Sequence, residues 1–459
     1  MLRLLCSLLL VYAVVSPRRS YAQTPTLEDR IAALERRLDS LNVKIPEGQR
    51  SIEERVAFLE AKLGGALATQ AKANVPALDL AVERREEKPQ ADAKEPMEMV
   101  AMEGGSEEPV SEFRDVVTGY GEFRYGKRSN QDGNAGLGRF VLYFGHRFSP
   151  RIRFASALEV EAPQIGETGG GTREVVLGQA FMEFLATPRL SVRSGILLAP
   201  IGIINEKHEP MTFNGVNRPL VETYIVPSGW RDVGTGIAGQ FGNGWRYRAY
   251  VMGGLNAAGF TAEGGIRGGR QGGQAFSNLR NPAQVGRLEY LGIRGLSIGA
   301  SGYTSRGGFD LKTLNPRVAL AEFDGQYVRG RFNLRGLFAS VWIRRAGELN
   351  ELLEHETSTN PNIASRLGGW YIEPAWNLLR SEGHRAWFVF VRQEKFDTQR
   401  SMPSGFLPRS EFRSQATVFG TTFHPIQDVV LKLDYVFGRN PNAPGRIGEG
   451  LNIGLGWYF

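Results

Sequence analysis

The stretch that decides the fold is the last one, Leu451-Asn452-Ile453-Gly454-Leu455-Gly456-Trp457-Tyr458-Phe459. A large apolar residue stands at every second position, and Asn452, two glycines and Tyr458 stand between them. Alternation with a period of two is typical of a β-strand whose two faces meet different surroundings. The end of the chain is therefore predicted to be a strand with one fully apolar face.

The same alternation recurs upstream. One row comprises Val429, Leu431, Leu433, Tyr435 and Phe437, opposed by Lys432 and Asp434; another comprises Trp245, Tyr247, Ala249 and Val251, opposed by Arg246 and Arg248. Segments of about ten residues with this pattern are what a transmembrane barrel requires, apolar toward lipid and polar toward the lumen. Sixteen such segments lie between residues 113 and 459. The predicted fold is all-β, a 16-stranded antiparallel transmembrane β-barrel.

Connections between these segments alternate in length. Short turns at 187–189, 243–244 and 381–383 alternate with long loops at 203–232, 256–282 and 346–365. In outer-membrane barrels the short turns face the periplasm and the long loops lie outside. An even strand number also places both ends of the barrel on the periplasmic side.

Composition excludes several other classes of protein. The chain has 459 residues, of which 42% are hydrophobic and 22% are charged. Its mean hydropathy of -0.25 is too polar for a bundle of membrane-spanning helices. Cys6 is the single cysteine, so neither a disulfide framework nor a thiolate metal site is available.

The N-terminus is predicted to be an export signal covering residues 1–22. Arg3 is followed by an apolar core from Leu4 to Val15 and by Ser20-Tyr21-Ala22 before a cleavage point at Gln23. This order of features is typical of a secretory signal peptide. The apolar core is too short to span a bilayer, which takes about 20 residues.

Residues 24–65 are predicted to form a periplasmic helical coiled coil. Its two short apolar seams are Leu27, Ile31, Leu34, Leu38 and Leu41, then Ile52, Val56, Leu59 and Leu63. Spacings of three and four are those of a coiled coil. Either the seams bring chains together, or they pack on each other as a monomeric hairpin. Residues 66–112, rich in Ala, Glu, Pro and Lys, are predicted to be a flexible linker.

Two other fold and function classes are disfavoured. A soluble exported sandwich or propeller would expose the terminal apolar row to water, which promotes association. An enzyme is not expected, because the five histidines are scattered and none has metal-ligand spacing: His146, His208, His355, His384 and His424. No metal or cofactor is predicted. The glycine-rich run at 264–273 is interpreted as a flexible external loop.

The terminal Phe459, with Trp457 before it, resembles the signal by which outer-membrane barrels are recognised for insertion. We expect Phe459 to matter for insertion more than for folded stability, since a terminal residue closes few contacts. Three stretches carry the most specific resemblance to a known family: Gly195 to Gly202, Asn205 to Pro210 and Pro227 to Arg231. With the signal peptide, coiled coil and sixteen strands, they resemble the phosphate-selective porin O/P family and related coiled-coil-bearing trimeric outer-membrane porins.

That resemblance implies a homotrimer in the outer membrane whose third external loop, here 203–232, folds inward and narrows a water-filled channel. Small hydrophilic or anionic solutes and outer-membrane lipids are the expected partners, and nucleic acid is not. The alternative function is an envelope-tethering or adhesion protein that uses the barrel only as an anchor.

Charge in the lumen sets the ion preference of such a channel. The alternation turns eight predicted pore-lining arginines inward: Arg124, Arg139, Arg147, Arg153, Arg193, Arg246, Arg248 and Arg287. Facing carboxylates such as Glu159 and Glu289 leave only a weak basic excess, so a mild anion preference is predicted. Alternatively, the arginines pair across the wall and stiffen it, or contact anionic lipid at the rims.

The predicted constriction loop is not basic. Its cationic candidates are Lys207, His208, Arg218 and Arg231, and they stand against Glu206, Glu209, Glu222 and Asp232. This balance departs from what a dedicated phosphate filter would need. Over residues 113 to 459, 40 Lys and Arg stand against 29 Asp and Glu, whereas residues 24 to 112 carry 12 against 19. A basic body after an acidic segment argues against one uniform nucleic-acid surface.

Overall fold

A computed structural model of the chain describes residues 115–129, 132–161, 174–272, 279–308, 311, 314–357, 360–379, 385–439 and 448–459. The signal peptide at 1–22, the coiled coil at 24–65 and the linker at 66–112 lie outside the described residues. They stay predictions.

The described chain forms one closed barrel of sixteen strands, in which each strand pairs antiparallel with its sequence neighbours and β16 pairs with β1. In chain order the strands are β1 (Asp115–Arg128), β2 (Asn134–Ser149), β3 (Ile152–Glu161), β4 (Glu174–Thr187), β5 (Leu190–Leu198), β6 (Arg231–Phe241), β7 (Trp245–Met252), β8 (Ala283–Ile293), β9 (Leu296–Arg306), β10 (Arg317–Arg329), β11 (Phe332–Ile343), β12 (Arg366–Asn377), β13 (Ala386–Ser401), β14 (Arg413–Ile426), β15 (Val429–Arg439) and β16 (Gly450–Tyr458). The predicted fold class is confirmed for the barrel.

Side chains alternate across the wall as the pattern predicts. In β10, Glu322 and Asp324 point inward and are 0% and 7% exposed, whereas Phe323 between them is 59% exposed on the outside. The apolar row of the terminal strand, Leu451, Ile453 and Leu455, also lies on the outside. An apolar outer wall around a charged interior follows.

The two ends of the barrel differ in their connections. Short turns at 150–151, 188–189, 242–244, 294–295, 330–331 and 427–428 share one end with Asp115 and Phe459. The opposite end carries the long connections, named here loop 3 (199–230), loop 4 (253–282), loop 6 (344–365) and loop 7 (402–412). Helix α1 (Val221–Tyr224) lies in loop 3 and α2 (Ala346–Thr357) in loop 6. None of the helices in the described ranges is long and apolar enough to cross a membrane.

An apolar core lies among the long loops and the inner wall beside them. Ile204 and Trp230 of loop 3, Phe260 of loop 4 and Leu349 of loop 6 belong to one buried cluster. The glycine-rich run, as far as Gly272, packs into this assembly, since Asn256 N donates to Gly269 O at 2.7 Å. The small residues allow close backbone packing there, which the interpretation as a flexible external loop did not include.

The seam between β1 and β16 is closed by the terminal residues. Gly119 and Phe459 exchange two backbone hydrogen bonds of 3.0 Å, and the Thr118 hydroxyl donates to Phe459 O at 2.7 Å. The Phe459 ring stacks on Phe140 with centroids 5.4 Å apart. The expectation that Phe459 closes few contacts is therefore wrong.

Candidate functional site

Loop 3 folds into the barrel, and wall carboxylates hold its backbone. Gly202 N donates to Glu322 Oε2 of β10 at 3.3 Å. Val216 N donates to Asp434 Oδ2 of β15 at 2.6 Å, and Leu220 N donates to Glu394 Oε2 of β13 at 2.5 Å. Because these three strands lie on different parts of the wall, the loop extends across the lumen.

Wall cations hold the carbonyl groups of the same loop. Lys432 Nζ donates to Phe213 O and Arg335 Nη2 donates to Thr212 O, both at 2.8 Å. Arg392 donates to the carbonyls of Asn214 and Asn217 at 3.3 and 3.2 Å. Loop 3 is thus fixed largely through its main chain by charged residues of the barrel wall.

The base of loop 3 is tied by two of its own side chains. Asn205 Nδ2 donates to Ala199 O and Trp230 O, and Trp230 N donates to Asn205 Oδ1 at 2.8 Å. Glu222 accepts from Ile204 N and from the Tyr371 hydroxyl, each at 2.7 Å. These contacts join the two ends of the loop to each other and to β12.

The far part of loop 3 packs against the barrel seam. The Tyr143 hydroxyl donates to Glu209 Oε1 at 3.2 Å, and the His208 ring lies edge-on to Tyr120 with centroids 6.4 Å apart. Pro210 packs so closely on β16 that a Cβ at Gly456 would lie 2.7 Å from it. The loop therefore contacts β1, β2 and β16 as well as β10 to β15.

At least five of the eight predicted pore-lining arginines form ion pairs with wall carboxylates. Arg139 Nη1 lies 3.2 Å from Glu159, Arg193 Nε lies 2.8 Å from Glu183, and Arg124 Nη2 lies 3.3 Å from Glu122. The remaining two join one network, in which Arg248 Nη1 lies 2.7 Å from Glu289, and Arg287 Nη1 lies 2.6 Å from Asp324 and 3.3 Å from Glu322. Arg139, Arg193, Arg248 and Arg287 pair with carboxylates of other strands, which is the alternative drawn from the sequence, whereas Arg124 pairs with Glu122 of its own strand.

The other three arginines lie nearer the short-turn end. Arg147, Arg153 and Arg246 are half-buried and stand on the inward faces of β2, β3 and β7. Arg153 interacts electrostatically with Glu183, Arg147 and Arg193. A basic group therefore lies in the part of the lumen between loop 3 and the short turns, named here the inner vestibule.

The four constriction candidates do not all lie in the loop. Lys207, His208 and Arg218 are half-buried in loop 3, and Arg218 Nη2 donates to His208 O at 3.3 Å. Arg231 is instead the first residue of β6. The strand begins there because Leu198 of β5 pairs with Arg231. The loop therefore begins at residue 199 and ends at residue 230, four and two residues earlier than the sequence suggested.

Sequence reasoning missed four charged residues that hold or approach loop 3. Arg392 forms ion pairs with Glu373 at 3.1 Å and with Glu394 at 2.7 Å, and Arg335 reaches the loop from β11. The signal was present, since Arg392 and Glu394 share one face of an alternating strand.

Burial shifts the pKa values of the titratable groups in loop 3. It raises the pKa of Glu222 to about 7 and also raises the pKa of Glu209. Burial, together with Arg218 and Arg139, holds the pKa of His208 well below its usual range. Burial and the neighbouring Arg139 lower the pKa of Arg218 to about 10.

These shifts act on loop docking with opposite signs. A raised carboxyl pKa means that docking is favoured once Glu222 is protonated, as the pH falls through about 7. A lowered histidine pKa means that docking loses stability as the pH falls below the ordinary value of about 6.5. The two groups therefore oppose each other in mild acid.

Within the ranges that the structure describes, no group of three or more His, Cys, Asp or Glu side chains could hold a metal ion.

Comparison with known proteins agrees with this architecture. No protein-family model matches the chain. An uncharacterized protein of Aquifex aeolicus is 33% identical over 331 residues, which cover 70% of this chain and 74% of that protein. Salmonella typhi OmpF, solved in complex with daunomycin, is 12% identical with a TM-score of 0.51, over 75% of this chain and 97% of OmpF. An anion-selective porin from Comamonas acidovorans is 13% identical with a TM-score of 0.49, over 75% and 99% of the two chains.

Proposed function

The chain belongs to the same family as the Aquifex aeolicus protein and has the fold of outer-membrane porins, and we propose that it is a porin-type channel for small hydrophilic solutes. The observation that carries this proposal is the inward loop 3 inside a closed sixteen-strand barrel with a charged interior. Barrels of about sixteen strands enclose an aqueous lumen. An inward loop narrows that lumen.

The proposed orientation follows from the two ends of the barrel. Long loops face the outside of the cell, and the short turns, with Asp115 and Phe459, face the periplasm. The signal peptide, the coiled coil at 24–65 and the linker at 66–112 complete the proposed domain order. Membership of the phosphate-selective porin O/P family is part of the proposal, without phosphate specificity, since loop 3 carries Glu206, Glu209 and Glu222 beside its cations.

A mild anion preference is proposed to arise in the inner vestibule. Arg139, Arg193, Arg248 and Arg287 are buried and lie against carboxylates, as Arg139 does with Glu159. Arg147, Arg153 and Arg246 stand on the same inward faces and are half-buried, so more of their surface faces the lumen than that of these four. Charges within about a Debye length, roughly 8 Å at physiological ionic strength, act on a passing ion.

Purified full-length protein in a planar bilayer is expected to give discrete current steps, with a reversal potential in a salt gradient that indicates weak anion preference. Replacing Arg147, Arg153 and Arg246 with glutamate should move the reversal potential toward cations, because three vestibule charges change sign. The matched control replaces the same residues with lysine, which keeps the charge and should leave the potential in place. A silent but correctly inserted barrel would instead support the anchor function, and an unmoved potential would exclude the vestibule arginines from the permeation path.

Self-association as a homotrimer is also proposed, with the coiled coil as one contribution. Each seam has only about two heptads, and isolated helices of 12 to 15 residues are marginal in water, so barrel contacts must contribute as well. Deleting residues 24–65 should weaken the trimer in detergent without unfolding the barrel. Light scattering measures the oligomeric state, and the heat-induced gel shift measures whether the barrel stays folded. An unchanged trimer would show that the helices do not hold the chains together.

A further inference from the structure

Five arginines form a basic rim on the outside of the barrel: Arg306, Arg317, Arg344, Arg366 and Arg400. They stand where β9 to β13 meet the long loops, and all but the half-buried Arg366 are exposed. Among the residues that the structure describes, none of the five forms an ion pair with a carboxylate. Their charge differs in this respect from that of the paired arginines inside the lumen.

Strand alternation places the basic rim on the outer surface. Arg306 follows the exposed Gly302 and Thr304 of β9, while the intervening Ser305 is buried on the inside. Arg317 shares the face of Phe323 in β10, and Arg366 shares the face of Trp370 in β12. These guanidinium groups therefore extend from the wall that faces lipid.

Like charges lie close together in the rim. Arg306 and Arg317 are direct cross-strand partners, and Arg344 N donates to Arg317 O at 2.9 Å. Arg366 Nε donates to Ser340 Oγ at 3.2 Å, and Arg400 Nη1 lies 3.2 Å from the position of a Cβ on neighbouring Gly368. Like charges directly opposite each other destabilise a strand pair, so a bound anion would relieve the repulsion.

An apolar surface lies directly below these arginines. Trp342, Trp370, Phe338 and Ile372 are exposed on β11 and β12. Trp342 pairs with Arg366, and the other three lie farther from the long loops. The Arg366 guanidinium lies 5.4 Å from the centroid of the Trp342 ring, a cation–π contact that holds the charge at the edge of the apolar surface. A ligand that fits both the arginines and the apolar surface has anionic oxygens at one end and hydrocarbon chains at the other.

We propose that the basic rim binds the phosphate groups of a phosphorylated lipid in the leaflet on the long-loop side. Guanidinium groups match phosphate oxygens in paired hydrogen bonds, which favours arginine at such a site. One carboxylate stands beside the rim: Asp397 of β13 pairs with Gly368 of β12 and with Arg413 of β14, so the five arginines keep an excess of positive charge. Glu348 of α2 is already paired with Arg345, at 2.5 Å, and does not neutralise the rim.

The test uses full-length protein in detergent, with lipids counted by native mass spectrometry. The probes are bisphosphorylated lipid A and its dephosphorylated form. Replacing Arg317, Arg344 and Arg366 with glutamine should weaken binding of the phosphorylated lipid by about fivefold per arginine, from the usual contribution of a basic residue near an anionic lipid surface. The dephosphorylated lipid should bind weakly to both proteins.

The matched control carries the same change at the short-turn end of neighbouring strands, Arg294→Gln, Arg329→Gln and Arg331→Gln, and should bind lipid as the unaltered protein does. Both variants should keep the heat-induced gel shift of a folded barrel and the bilayer conductance, so this test stands apart from that of channel function. Equal binding of the two lipids, or an equal loss in the control, would overturn the proposal. Displacement of the lipid by millimolar inorganic phosphate would assign the site to a small anion instead of a lipid.

Discussion

Replacing Arg392 with methionine is expected to release loop 3 from the barrel wall and to raise the single-channel conductance. The Arg392 side chain is nearly inaccessible, pairs with Glu373 and Glu394, and donates to two carbonyls of the loop. Without it, the two carboxylates would remain buried beside the loop with no cation between them. Breaking a buried ion pair in this way costs about 3–5 kcal/mol. At about 1.4 kcal/mol per factor of ten, the docking equilibrium should shift at least a hundredfold.

The measurement is the size and duration of current steps in a planar bilayer, compared with a variant altered on the other face of the same strand. Lys395→Met is that control, because Lys395 lies on the outward face of β13. Glu394→Gln should have a smaller effect in the same direction, since an amide oxygen can still accept from Leu220 N. Unchanged conductance in a correctly folded Arg392→Met barrel would show that the docked loop does not limit the current.

Strand positions could be predicted from sequence because the side of a strand on which a residue lies is a local property. In β16 the outward face can be assigned from the apolar row Leu451, Ile453 and Leu455 without reference to neighbouring strands. The observed strand, Gly450–Tyr458, agrees closely with this pattern. An even number of such rows lets the first and last strands pair antiparallel, so the barrel closes and no edge of a described strand stays unpaired. Strand ends depend on the neighbouring strand, as Arg231 shows, because pairing with β5 extends β6 into a segment that is a loop by composition.

The docking of loop 3 could not be predicted in the same way. Its contacts join main-chain atoms to wall side chains that are distant in sequence, such as Val216 N with Asp434. A backbone group carries no signature in the sequence, so nothing in residues 212 to 217 specifies these partners. Glu373 and Glu394 were missed for this reason: their inward position could be read from alternation, but not that they hold the loop through Arg392 and Leu220.

Replacing Gly121 with alanine at the barrel seam is expected to destabilise the folded barrel. Tyr120 and Glu122 point inward, so Gly121 faces outward, and the Trp457 ring of β16 lies over it. A Cβ at Gly121 would lie 2.2 Å from that ring, so the indole would have to move away. Overpacking of this kind costs about 1–3 kcal/mol. Removing Phe459 should add to the loss, because its stacking on Phe140 alone is expected to contribute about 0.5–1.5 kcal/mol.

Heat-induced unfolding in detergent, followed by the gel shift of the barrel, measures both changes. Gly136→Ala in β2 is the matched control, since nothing lies within 4 Å of a Cβ there, and its unfolding temperature should stay at or above that of the unaltered protein. The cause is isolated by a double-mutant cycle: once Trp457 is replaced by alanine, Gly121→Ala should cost little, because the ring that it displaces is gone. If Gly121→Ala lowers the unfolding temperature equally with and without Trp457, the indole does not determine the cost. The glycine would then be required for the backbone pairing of β1 with β16, independently of the aromatic ring that lies over it.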